Sequence, residues 1–139
     1  MSLTNLQLID DALRELNVIS EVGSATAEQG KYCLRVLNQM MDLWRETKDI
    51  DIGYFRQEAT TDTLPIPEWT ELAVTRGLAV AVASKFGASV SNELMMTAES
   101  AISGVQTACM VAKKDGVDLS YLPVGSGHYG RGNSILTDS

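Results

Sequence analysis

The chain has 139 residues, enough for one domain with a sizeable core, and 45% of them are hydrophobic, as in an ordinary globular chain. Eleven Lys and Arg against eighteen Asp and Glu leave a net charge of −7, which argues against a surface that grips nucleic acid through clustered phosphate contacts. Cys33 and Cys109 stand alone, with no CxxC spacing, and read as small buried thiols rather than as a disulfide framework or metal site.

The opening residues, MSLTNLQLIDDALREL, are amphipathic with early acids and do not look like a signal peptide. The spacing predicts a first helix over about 4–17. Thr4 and Gln7 have capping-box spacing, and Leu3 and Leu8 occupy the positions of a hydrophobic staple. Leu6, Ile9, Leu13 and Leu16 form the inward stripe. Asp10, Asp11, Arg14 and Glu15 are expected to face water, with Asp10 and Arg14 as an i,i+4 pair. Residues 17–25 are expected to form a loop punctuated by Gly23 and Ser24.

The second helix, over about 27–47, is the one around which the rest is expected to pack. Thr26 and Gln29 repeat the capping box. Gly30, Cys33, Leu34, Val36, Leu37, Met40, Met41, Leu43 and Trp44 fall on one half of the wheel. Lys31, Arg35, Asn38, Gln39, Asp42, Arg45 and Glu46 fall on the other. Such a helix needs partners. In residues 50–64, Ile50, Ile52 and Tyr54 alternate with polar or small residues and three threonines follow, which suits a short hairpin or an extended loop.

Pro65 and Pro67 stop that segment. Pro67 suits the first position of a third helix over about 67–87, with Glu68 and Glu71 near the positive end of its dipole. Residues 78–83 are apolar all round, which predicts the most buried element; the run is far too short to span a bilayer. Gly87 suits the C-terminal cap. A fourth helix, over about 91–114, starts from Ser89 or Ser91. Its stripe is Leu94, Ala98, Ala101, Ile102, Val105, Ala108, Cys109 and Ala112; Lys113 and Lys114 lie near its end and Gly116 stops it. The chain therefore divides into a helical domain, residues 1–116, and a C-terminal arm, residues 117–139. The arm is glycine-rich and aperiodic. Alone it should be close to disordered, yet it carries Tyr121, Leu122, Pro123, Val124, Tyr129, Ile135 and Leu136, which suits an extended arm docking on a partner.

Little here resembles catalytic chemistry. Gly125, Gly127 and Gly130 match G-x-G-x-x-G, but a helix and loop precede them where a dinucleotide fold needs a strand. His128 is the single histidine; it has no evident nucleophile to serve, and alone it cannot build a zinc site. The carboxylate pairs Asp10/Asp11 and Asp49/Asp51 read as solvated surface. The expectation is an all-α, non-enzymatic protein, with no catalytic residues, no cofactor, no metal and no membrane partner. Its core would be a four-helix bundle with a short hairpin or extended loop between helices 2 and 3.

Four stretches in order carry a resemblance: ALRELNVI, then LNQMMDLWRETKDIDIGYF, then TDTLPIPEWTELAVTRGLAVAVASKFG, then YLPVGSG. Together they resemble the head-to-tail adaptor family of tailed phages, especially the tail accessory (packaged-DNA stabilisation, head completion) proteins of short-tailed phages. The resemblance covers nearly the whole chain. It implies a helical protein made in the host cytoplasm and placed in the virion at the head–tail junction. There it would form a ring with copies of itself, typically twelve, beneath the portal protein. The ring would prolong the DNA channel, help retain packaged DNA without binding it specifically, and offer a platform to downstream tail proteins. The resemblance makes Tyr121, Leu122, Pro123, Val124, Gly125, Ser126 and Gly127 the portal-contacting arm. It places residues 50–64, with Ile52, Tyr54 and Phe55, on the tail-facing or intersubunit side. The net negative charge suits a channel wall along which DNA slides. The alternatives are a generic helical interaction module or regulator and, further off, a small hydrolase built from the polar loops.

Overall fold

The computed structural model describes residues 3–115, and these are all-α. Helix α1 is Asn5–Glu15, α2 is Ala27–Lys48, α3 is Glu71–Val82 and α4 is Asn92–Asp115. Single turns of 3₁₀ helix, Glu68–Thr70 and Ala83–Phe86, flank α3. The arm, residues 117–139, lies outside the described residues, and with it the expected portal contact at 121–127, the glycines at 125, 127 and 130, and His128.

Local chemistry fixes the helix ends. Both capping boxes form: the Thr4 hydroxyl accepts from the Gln7 amide at 3.1 Å and the Thr4 amide donates to the Gln7 side chain at 2.9 Å. Thr26 and Gln29 do the same at 3.2 and 2.9 Å. Each cap satisfies amides that an isolated helix leaves orphaned, an effect of about 1 kcal/mol. Ser91, not Ser89, caps α4, its hydroxyl accepting from the Leu94 amide at 3.0 Å. Pro67 is extended and sits just before the 3₁₀ turn, so α3 proper starts a turn later than the proline signal predicts. Gly87 stops the third helical stretch in the left-handed region, at φ 66°.

The packing centre is α3 rather than α2: α3 packs against α1, α2 and α4. Its small residues Ala73, Gly77 and Ala79 are all buried, as is Ala83 at the start of the 3₁₀ turn that follows, and they let three neighbours come close. At Gly77 the Trp44 ring of α2 takes the space of a side chain: a Cβ there would lie 2.8 Å from Cζ2. Leu78, Val74 and Val82 of α3 are fully buried, with Leu8, Ile9 and Leu13 of α1 and Leu37 of α2. Burying one such side chain is worth roughly 1.5–3 kcal/mol.

Several side chains depart from their wheel positions. Asp10 is buried and holds the 17–25 loop against α1, its carboxylate accepting from the Ala25 amide at 2.8 Å and the Ser24 hydroxyl at 2.9 Å. Arg14 therefore pairs with Asp11, at 3.1 Å, and donates to the Gly23 carbonyl at 2.6 Å. Asn38 is inside, 3% exposed, while Leu43 faces outward. Residues 50–64 do not form a hairpin. Among the described residues there is no strand, only an isolated antiparallel bridge between Thr4 and Thr63.

Candidate functional site

Residues 50–64 leave α2 through Asp49, which takes the left-handed conformation (φ 56°) and redirects the chain. Ile50, Ile52 and Leu64 then drop into the core. The polar backbone between them needs partners once buried, and three side chains supply them. Asn38 Nδ2 donates to the Gln57 carbonyl, and Asn38 Oδ1 accepts from the Gln57 amide, both at 2.9 Å. The Tyr54 hydroxyl donates to the same Asn38 oxygen. Asn5 Nδ2 donates to Gln57 Oε1 at 3.0 Å and to the Ala59 carbonyl at 2.9 Å. Gln57 Nε2 donates to the Phe55 carbonyl at 2.8 Å. The end of the segment then caps α1: the Asn5 and Leu6 amides donate to the Asp62 and Thr60 carbonyls at 2.9 and 2.8 Å. The loop thus does for α1 what a strand partner would do for a strand.

That network fixes what the segment shows to solvent. Of the three residues expected on the outer side, Ile52 is 1% exposed and belongs to the core, because the loop turns its apolar alternation inward. Tyr54 is half-buried, and burial together with the Asp42 carboxylate pushes its phenol well above the ordinary range. Phe55 is presented outward, 65% exposed, next to the exposed Arg56–Glu58 ion pair. Asn5, Asn38 and Gln57, which hold Phe55 in place, are not evident from composition or periodicity. The one available signal is that Asn38 lies a turn after Leu34 and a turn before Met41, on the face that packs.

Two charged surfaces lie towards opposite ends of the third helical stretch. A groove of about 680 Å³ at its start is lined by Leu3, Asp11, Arg14, Glu15, Glu21, Glu68, Glu71, Leu72 and Thr75. Partial burial, then the Glu68 carboxylate, pushes the Glu71 carboxyl up. At its end, Tyr32 of α2 has Phe86 edge-on, with ring centroids 5.9 Å apart. Arg35 and Lys85 lie over the same ring at 5.5 and 5.3 Å, a cation–π arrangement.

Asp10 is engaged by the 17–25 loop, whereas Asp49 and Asp51 are exposed. Burial raises the Cys33 thiol to about 11 and also pushes Cys109 up, so neither is a thiolate nucleophile at neutral pH. Among the described residues no group of three or more His, Cys, Asp or Glu side chains is placed to hold a metal ion, and no helix is long and apolar enough to cross a membrane. No protein-family model matches the chain, and no curated protein matches it either.

Proposed function

We propose that the chain is a structural, non-enzymatic subunit of a phage head-to-tail adaptor. Copies assemble as a ring under the portal, extend the DNA channel, help retain the packaged genome and offer a platform for tail proteins. The observation that carries this reading is Phe55. A large apolar side chain stands in solvent on a loop that a buried polar network holds in one conformation. A group so placed is organised for a neighbour to cover, since ordering it against water has no benefit within the lone chain. Leu43 on α2 and Met96 on α4 add exposed apolar surface on rigid elements. On this reading Tyr54 and Phe55 belong to the side facing copies or tail proteins, and residues 121–127 form the portal contact.

The test mixes the full chain with portal rings of a short-tailed phage and reads the mass of the product. A ring of added copies, absent when Phe55→Ser replaces the native chain, is the expected result. Portal rings that gain no mass overturn the reading. A Phe55→Ser chain that assembles like the native one removes Phe55 from it.

A further inference from the structure

Arg35 and Lys85 are both exposed and both lie over the Tyr32 ring, whose partner Phe86 packs with it against the core. The patch is therefore two cations held on a rigid aromatic base. The ion pairs of the described residues use Arg14, Arg45, Arg56 and Lys113 and neither of these two cations. Residues 29–41 and 72–92, which supply the patch, hold no carboxylate at all, although the chain carries a net charge of −7. The acids that would balance Arg35 and Lys85 are elsewhere.

They are in the groove at the start of the third helical stretch. Asp11, Glu15, Glu21, Glu68 and Glu71 line it with a single guanidinium, Arg14, which is already engaged by Asp11 and the Gly23 carbonyl. Leu72 lines the same groove and is 54% exposed, so the groove offers contact to a ring as well as to a charge. Partial burial, then the Glu68 carboxylate, already pushes the Glu71 carboxyl up, and an incoming cation relieves that crowding. One copy cannot bring its own two faces together. About 21 Å of helix separates Glu71 from Lys85, against a screening length of about 8–10 Å at ordinary salt.

We propose that the acidic groove of one copy receives the Tyr32, Arg35 and Lys85 patch of the next, so that copies of this chain join head to tail. Two different faces meet in such a contact. Each added copy therefore leaves one groove and one patch open, and association continues until the rotation closes on itself. The contact names the faces through which copies of the proposed adaptor meet, and it rests on that reading for closure into a ring. Phe55 belongs to neither face.

Sedimentation velocity of the full chain without portal protein tests the contact, so its failure and the failure of portal binding are separate results. At low salt and rising protein concentration the native chain should grow past the dimer, and added salt should reverse this. One variant, Arg35→Gln with Lys85→Gln, removes the charge of the patch. A second, Glu15→Lys with Glu21→Lys, leaves the groove with as many cations as carboxylates. All four positions are exposed, and far-UV circular dichroism checks that both variants fold. Each variant alone should associate about tenfold more weakly or worse. Mixed in equal amounts, they should form a one-to-one dimer that grows no further, because the first variant keeps a groove and the second keeps a patch. A native chain that stays monomeric at low salt, or that stops at a dimer, overturns the proposal. So do variants that assemble like the native chain, and a mixture that forms no dimer or grows beyond one.

Discussion

At Gly77 the fold depends on a missing side chain. A Cβ there would lie 2.8 and 3.0 Å from two atoms of the Trp44 ring and 3.4 Å from Ile102 Cδ1. The ring is buried, and the helices on either side of it cannot separate without opening the core. Alanine at this position removes some backbone freedom from the unfolded chain, but overpacking of this kind costs more, typically about 1–3 kcal/mol. Gly77→Ala should therefore lower the urea midpoint with an unchanged slope. In a Trp44→Phe background, where the ring is smaller, the same change should cost less. Equal cost in both backgrounds would place the strain elsewhere. The cysteines give a second check at this scale. With Cys33 and Cys109 buried and their thiols pushed up, a thiol reagent at neutral pH should label neither until the protein is unfolded.

At the scale of elements, the legible parts were those whose partners are near in sequence. The capping boxes at Thr4 and Thr26 span three residues each and were readable as such. Gly87 and the two prolines likewise acted within a turn of where they stand. For residues 50–64 the alternation leaves both a hairpin and an extended loop open; the loop is what forms, and the sequence does not choose it because what holds it is distant: Asn5 meets Gln57 and Ala59 across more than fifty positions, and Asn38 meets Gln57 across nineteen. Alternation of Ile50, Ile52 and Tyr54 reports that one side is buried, not that a strand lies alongside. The hub was misplaced for a related reason. Wheel patterns detect a helix with one wet face, and α3 has small and apolar residues on most sides, so α2 looked more central. Asn38 marks the test of the loop. Asn38→Ala would leave the Gln57 amide and carbonyl without their partner; a buried polar group stranded in this way costs about 1–3 kcal/mol. The α1 amides of Asn5 and Leu6, which donate to the end of the same loop, should also exchange faster in that variant. Global destabilisation with no selective loss of protection at those two amides would mean that the network does not hold the segment.

At the scale of the molecule, the charge of −7 is unevenly spread. Asp11, Glu15, Glu21, Glu68 and Glu71 share one groove with Arg14, whereas Arg35 and Lys85 gather on Tyr32 towards the other end of the third helical stretch. Glu71 stands in the first turn of α3, where the helix dipole favours a negative charge. Partial burial and the Glu68 carboxylate outweigh that, and the Glu71 carboxyl is raised. The sign of the linkage follows. A carboxyl with a folded-state pKa above its unfolded value holds its proton more tightly when folded, so its contribution to stability is fully present below the unfolded pKa. That contribution is lost as pH rises through the folded pKa. Ionised Glu71 therefore opposes folding at neutral pH. Glu71→Gln should melt higher than the native chain there, and the difference should vanish as pH falls below the ordinary carboxylate range. Added salt should shrink the part that comes from Glu68, since the groove is open to solvent. Thermal melts of the two chains across that pH range check this. A Glu71→Gln chain that is less stable at every pH would show that the carboxylate is held by a favourable contact and that the groove stores no repulsion at this position.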